Sequence, residues 1–285
     1  MVETPTLERL IARDRTVTLL GLIILCALAW AYIVMGAGLG MTAREMTTFA
    51  LFPHQQSAHM ASMAGSDMAG MGVSPEHVMP PGAAGWILPV AMWWVMMIAM
   101  MAPSAAPTIL LYARVYRHSA GRGQFEDKPA PTLAFAAGYL LIWLAFSVVA
   151  AALQWSLETS GIVSTMGSRS QALSASVLFA AGIYQLSSLK SSCLSHCRSP
   201  AEFLARHWRP NAAGAMRLGG IHGAYCVGCC WALMTLLFVG GAMNLIWIAA
   251  LTILVLAEKI LPFGRGGGRA MGLVLIGWGI ATMLI

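Results

Sequence analysis

Charge is the scarcest property of this sequence. Asp, Glu, Lys and Arg make up 10% of its 285 residues, whereas soluble domains carry about 25%. That balance excludes an ordinary water-soluble domain and points to an integral membrane protein. A G-x-x-x-x-G-K-[ST] loop is missing, so neither a nucleotide partner nor ATP-driven pumping by this chain is expected. "FGRGGGRAMG" lacks that spacing and reads as a flexible basic turn. Nothing marks a nucleic-acid partner either. Histidine is sparse, with seven in the chain, most of them in expected loops. That leaves no multi-histidine bundle for haem or an oxidase centre. No small-residue cleavage pattern follows the first apolar run, so a cleavable signal peptide is not expected.

Apolar runs are abundant, and a helix needs roughly 20 such residues to cross the hydrocarbon core. Seven stretches qualify or nearly do: Val17–Gly36, Trp86–Tyr112, Thr132–Leu157, Gln171–Leu189, Gly219–Val239, Met243–Leu261 and Arg269–Ile285. The expected fold is all-α, a polytopic transmembrane bundle of about seven spans. Pro103 and Pro107 predict a kink or break in the second span. Of the 17 Lys and Arg residues, all but Arg44 and Arg169 fall on the side of the N-terminus. Positive charge stays inside, so the N-terminus is expected in the cytoplasm and the bilayer is a bacterial inner membrane. The chain divides into an N-terminal segment (1–16), a first span (17–36), an external loop (37–85) and a six-helix membrane domain (86–285).

The external loop contains "HQQSAHMASMAGSDMAGMGVSPEHVMP". It interleaves His54, His59 and His77 with Met60, Met63, Met68, Met71 and Met79. Few of its residues can bury apolar surface, so a flexible segment is expected. Thioether and imidazole donors together suit copper. External capture of a metal ion is one reading, and a low-complexity linker in a Met-rich chain is the other. In the second span, Met92, Met96 and Met100 form one helical row, with Met97 and Met101 beside it. Such rows serve either as a Cu(I) path or, more commonly, as flexible packing.

Five of the six cysteines gather in two short motifs. "YQLSSLKSSCLSHCRSP" carries Cys193, His196 and Cys197, and "HGAYCVGCCWALM" carries His222, Cys226, Cys229 and Cys230. Continued helix past Lys190 would set Cys193 and Cys197 one turn apart. Spacings of 0, 4, 7 and 8 from His222 keep all four of its set on one side of a helix. Both motifs enter the bundle from the same side, near Glu258 and Lys259. Soft thiolates suit Cu(I), with Zn(II) as the alternative. Cys226-Val-Gly-Cys229 is also a redox-type C-x-x-C, but an apolar helix facing a reducing compartment argues against that use. Cys26 reads as a small buried hydrophobe; His118 and His207 read as surface residues.

"MWWVMMIAMMAPSAAP", the two cysteine motifs and "GAMNLIWIAALTILVLAEK" together resemble a bacterial family of predicted metal-binding integral membrane proteins. The resemblance covers roughly Trp86 to Lys259. It implies metal binding without an established reaction, at Cys193, Cys197, Cys226, Cys229, Cys230, Trp231, Asn244, Glu258 and Lys259. One departure is Ser188, where that pattern leads one to expect proline; serine is expected to ease continuation of the helix.

The leading expectation is a copper-handling membrane protein with a Cys/His site in the bundle, served by a periplasmic metal-handling partner. A metal-dependent membrane oxidoreductase using Tyr184, Gln185, Glu258 and the thiols is one alternative. A zinc-stabilised assembly subunit is the other.

Overall fold

The computed structural model describes residues 4–36, 47, 83–120, 130–164, 167–168, 170–208, 211–261 and 264–284. Three long helices come first: α1 (Thr4–Val34), α2 (Ala83–Ala120) and α3 (Ala130–Thr159). A small antiparallel hairpin follows, β1 (Val163–Ser164) with β2 (Gly167–Ser168). Next are α4 (Gln171–Leu186), α5 (Ser188–Arg198) and α6 (Pro200–His207). The chain closes with α7 (Ala212–Met234), α8 (Leu237–Gly240), α9 (Leu245–Ile260) and α10 (Gly264–Leu284). Residues 54–79, which hold the interleaved histidines and methionines, lie outside the described residues.

Among the described residues, five helices are long and apolar enough to cross a membrane: Thr16–Val34, Gly85–Ser119, Pro131–Thr159, Ala212–Gly240 and Gly266–Leu284. Counting the bent pair α4 and α5 as one span raises the number to six. Seven spans are expected from the sequence, and α9 accounts for the difference. It has 16 residues and spans about 24 Å, short of a hydrocarbon core of about 30 Å. Its start is abrupt because Gly241 takes φ 94° and the Asn244 side chain accepts from the Ile246 amide at 3.1 Å.

Three local expectations are corrected. The fourth apolar run does not continue as one helix past Lys190. Ser187 is extended (ψ 150°); its amide closes α4 on the Tyr184 carbonyl and its hydroxyl accepts from the Lys190 amide to open α5. Serine at 188 therefore does not keep the helix continuous, and the two pieces meet at 65°. Of the kink or break expected at Pro103 and Pro107 there is no break, since α2 is one helix through both. "GRGGGR" is not a turn but the opening of α10. That helix docks closely on α4: a β-carbon on Gly272 would lie 2.9 Å from the Gly182 carbonyl, and one on Gly182 would lie 2.8 Å from the Gly272 carbonyl.

The same device fixes α3 against α7. A β-carbon on Gly219 would collide with the Phe135 carbonyl, and one on Gly138 with the Met216 carbonyl. Small residues let two backbones approach where side chains would hold them apart. The aromatic core then fills the space beside this contact. Trp93, Tyr112, Phe135, Tyr139, Trp143 and Phe203 are fully buried, with Tyr112 stacked on Phe135 at 4.9 Å. Outward faces remain apolar, as at Val17, Ile23, Ile24 and Leu28 on α1 and Leu273 and Val274 on α10. Apolar exposure of this extent is unusual for a soluble monomer.

Gly219→Val is expected to separate α3 from α7 and destabilise the fold by about 2 kcal/mol or more, the usual scale of overpacking. Gly277, with open space where its β-carbon would stand, is the control. Thermal unfolding in detergent checks the pair: equal melting temperatures for Gly219→Val and Gly277→Ala would refute the close contact.

Candidate metal centre

Helix α7 starts at Asn211, whose side chain accepts from the Gly214 amide at 2.6 Å. Its register then carries His222, Cys226, Cys229 and Cys230 along one stripe. All four are buried, at 2%, 0%, 2% and 1% exposure. Trp231 points the other way and is exposed. Inside the stripe, both Cys229 and Cys230 turn their thiols to the Cys226 carbonyl, at 3.1 and 3.0 Å.

Helix α5 crosses this stripe. Cys193 fits over Gly228, its sulfur 2.9 Å from where a β-carbon would stand. One turn on, Cys197 is likewise partly buried on α5. The break at Ser187 therefore aims the two half-buried thiols of α5 at the buried thiols of α7. All six cysteines are free, those of the C-x-x-C included.

The last turn of α9 supplies two charges that diverge. Glu258 faces the α4–α5 junction, where both its oxygens accept from the Lys190 ammonium at 2.7 Å and Oε1 also accepts from Gln185 at 3.0 Å. Lys259 turns toward the thiols. Its ammonium donates to Cys226 Sγ at 3.0 Å and to Ser104 Oγ at 2.8 Å. Glu258 is thus committed to Lys190, and Lys259 presents its charge to sulfur. Burying a cation is costly unless a partner offsets it.

Three residues not foreseen as site members complete the surroundings. The Tyr139 hydroxyl lies 3.2 Å from Cys226 Sγ and 3.2 Å from the Met101 carbonyl. Ser104 accepts from Lys259 and donates to the same Met101 carbonyl at 2.8 Å. Met101 places Sδ 3.9 Å from Cys230 Sγ. The methionine rows of α2 are buried throughout, and the row that holds Met97 and Met101 ends at the thiols. Only that row was visible in sequence; Tyr139 and Ser104 carry no signal there.

Other expected residues are placed as follows. His222 lies among Phe135, Tyr139 and Phe203, at centroid distances of 6.2, 5.8 and 5.3 Å, and its buried Nδ1 has no hydrogen-bond partner. Tyr184 donates to the Gly228 carbonyl and packs edge-on to Trp231. His196 stacks on Tyr225 at 4.1 Å and holds the Ser192 carbonyl through Nδ1 at 2.8 Å. Asn244 caps the far end of α9, about 22 Å from Lys259, so the fold does not bring it to the thiols. Among the described residues, no three His, Cys, Asp or Glu side chains are arranged as a group that could hold a metal ion.

The fold and this site define a helical bundle in which free thiols lie beside a buried cation. The family described as PpoB2, copper chaperone, matches residues 90–282, and the chain belongs to that family. No curated protein and no solved structure matches the chain.

Glu258→Gln leaves Lys190 buried without its counter-charge. We expect a loss of about 3–5 kcal/mol, the scale of a broken buried pair. Adding Lys190→Met to Glu258→Gln should recover most of it. Thermal melts of the two single variants and the double variant test this, and simple additivity would exclude the coupling.

Proposed function

We propose that this chain is an integral membrane copper chaperone that binds Cu(I) at the thiol stripe of α7 and passes it on by ligand exchange. The observation that carries the reading is the pairing of Lys259 with Cys226 inside a buried cluster of free thiols. The copper chaperone family supports the identity of the ion. Long apolar helices with uncovered apolar faces support the membrane setting.

Charge accounting favours a monovalent ion. Two thiols that bind Cu(I) release two protons and leave a complex with one net negative charge. Lys259 stands where it offsets that charge, and such an offset matters most in a low-dielectric interior. Cys226 and Cys230 are the principal ligands in this reading, with Cys229 and Cys197 next to them. Cys193 and His222 flank the set. Tyr184, Gln185 and Glu258 position α4, α5 and α9 around it.

The sequence motif of His54, His59, Met60, Met63, Met68, Met71, His77 and Met79 falls outside the matched residues 90–282. We assign it an accessory role, collecting copper on the outer side. The excess of Lys and Arg in the segments on the N-terminal side supports a cytoplasmic N-terminus, and in that reading the thiol end of the bundle faces the cytoplasm. A periplasmic metal-handling protein would then be the partner of the outer loop.

The test is anaerobic Cu(I) titration of the full chain in detergent against a competing chelator. Near-stoichiometric copper is expected in the native protein. Cys226→Ser and Cys230→Ser should each weaken binding by about tenfold or more, with a smaller loss for Cys229→Ser. Lys259→Met should weaken it while leaving the helical circular dichroism unchanged. Unchanged loading in all three serine variants would move the site elsewhere. Tight zinc in place of copper, with unfolding by chelator, would favour a zinc-stabilised assembly subunit instead.

A further inference from the structure

We propose that the Met101 thioether is the third ligand of the copper site, completing a trigonal all-sulfur set with Cys226 and Cys230. This rests on the Cu(I)-binding reading above and goes beyond it by naming a ligand from a different helix.

Distance is the first argument. Met101 Sδ and Cys230 Sγ are 3.9 Å apart. With metal–sulfur bonds of about 2.3 Å, as for zinc thiolates, neighbouring sulfurs of a trigonal site stand about 4.0 Å apart. These two atoms already have the spacing of ligands on one ion. Cys226 lies one turn before Cys230 on the same stripe, and the Cys230 thiol is 3.0 Å from the Cys226 carbonyl.

Support from the surroundings is the second argument. The Met101 carbonyl is gripped by Tyr139 and Ser104. Tyr139 also touches Cys226, and Ser104 also holds Lys259, which donates to Cys226. The groups that fix the cysteine thus fix the methionine backbone as well. Met101 is fully buried, so its sulfur is held away from competing water.

Charge is the third argument. One cuprous ion, two thiolates and the Lys259 ammonium sum to zero. A third thiolate would leave a buried negative charge, while a thioether leaves the balance intact. A thioether also favours Cu(I) over Zn(II). The absence of a three-membered group of His, Cys, Asp or Glu among the described residues is then expected, because the third donor is of another kind.

The experiment is X-ray absorption at the copper edge. Full-length protein is labelled with selenomethionine, kept anaerobic in detergent, and given half an equivalent of Cu(I) so that the tightest site fills first. We expect a selenium neighbour at bonding distance in the native chain and its loss in Met101→Leu. Cu(I) affinity should fall about tenfold or more in that variant, with Zn(II) affinity unchanged within about twofold. Met97→Leu, one turn away and equally buried, should keep both the selenium signal and the affinity. Bound copper with no selenium neighbour in the native chain overturns the assignment, as does a selenium signal that persists in Met101→Leu. Imidazole scattering in place of selenium would also overturn it, in favour of His222. If the native chain takes up no Cu(I), the functional reading fails together with this one.

Discussion

Lys259 holds its ammonium 3.0 Å from the Cys226 sulfur, and among the described residues no carboxylate is paired with it. The nearest acid in sequence, Glu258, is taken by Lys190 and Gln185. That division of labour on one helical turn sets the character of the whole centre. Had Lys259 reached a carboxylate, the thiols would face a neutral ion pair. As built, they face a positive charge with only a hydroxyl beside it. A site of this kind has room for negative charge on sulfur, which is what a thiolate-bound monovalent ion brings.

The position of that charge depends on how closely the helices approach. Tyr139 reaches Cys226 because Gly138 and Gly219 let α3 and α7 meet backbone to backbone. Gly228 performs a similar service for Cys193 on α5. Each glycine removes a β-carbon that would push a donor out of reach. The helix-to-helix packing and the chemistry are therefore one problem: the residues that carry no side chain decide which side chains converge.

This explains which parts were legible in the sequence. The stripe of His222, Cys226, Cys229 and Cys230 follows from the helical repeat alone, and the described structure keeps it on one buried face. Helical lengths of the long apolar runs were equally readable. The break at Ser187 was not, since it depends on one serine capping two helices at once. The opening turns of α10 were hidden because glycines and arginines ordinarily suggest a turn, whereas here they open a helix that docks on α4 further along, at Gly272. The apolar run Met243–Leu261 is longer than the helix it forms, because Gly241 and Asn244 set a late start for α9. Tyr139 and Ser104 come from two other helices, so no local spacing could have announced them, whereas Met101 lay in a methionine row that spacing did show.

A gradient of exposure runs through the thiols. Cys226, Cys229 and Cys230 are buried, while Cys193 and Cys197 on α5 are only partly so. Ligand exchange requires an incoming donor to touch the ion or a neighbouring ligand before any bond is lost. The deep cysteines offer no such approach, but α5 does, and its Cys193 sits against Gly228 of α7. α5 is also a short helix of 11 residues, joined at a 65° break and tied to α9 through Lys190 and Arg198. In the proposed chaperone the thiols of α5 are accordingly the point of exchange and those of α7 the point of retention. Tight holding and ready transfer usually oppose each other in one site. In this proposal they fall to two helices that pack together where Cys193 meets Gly228.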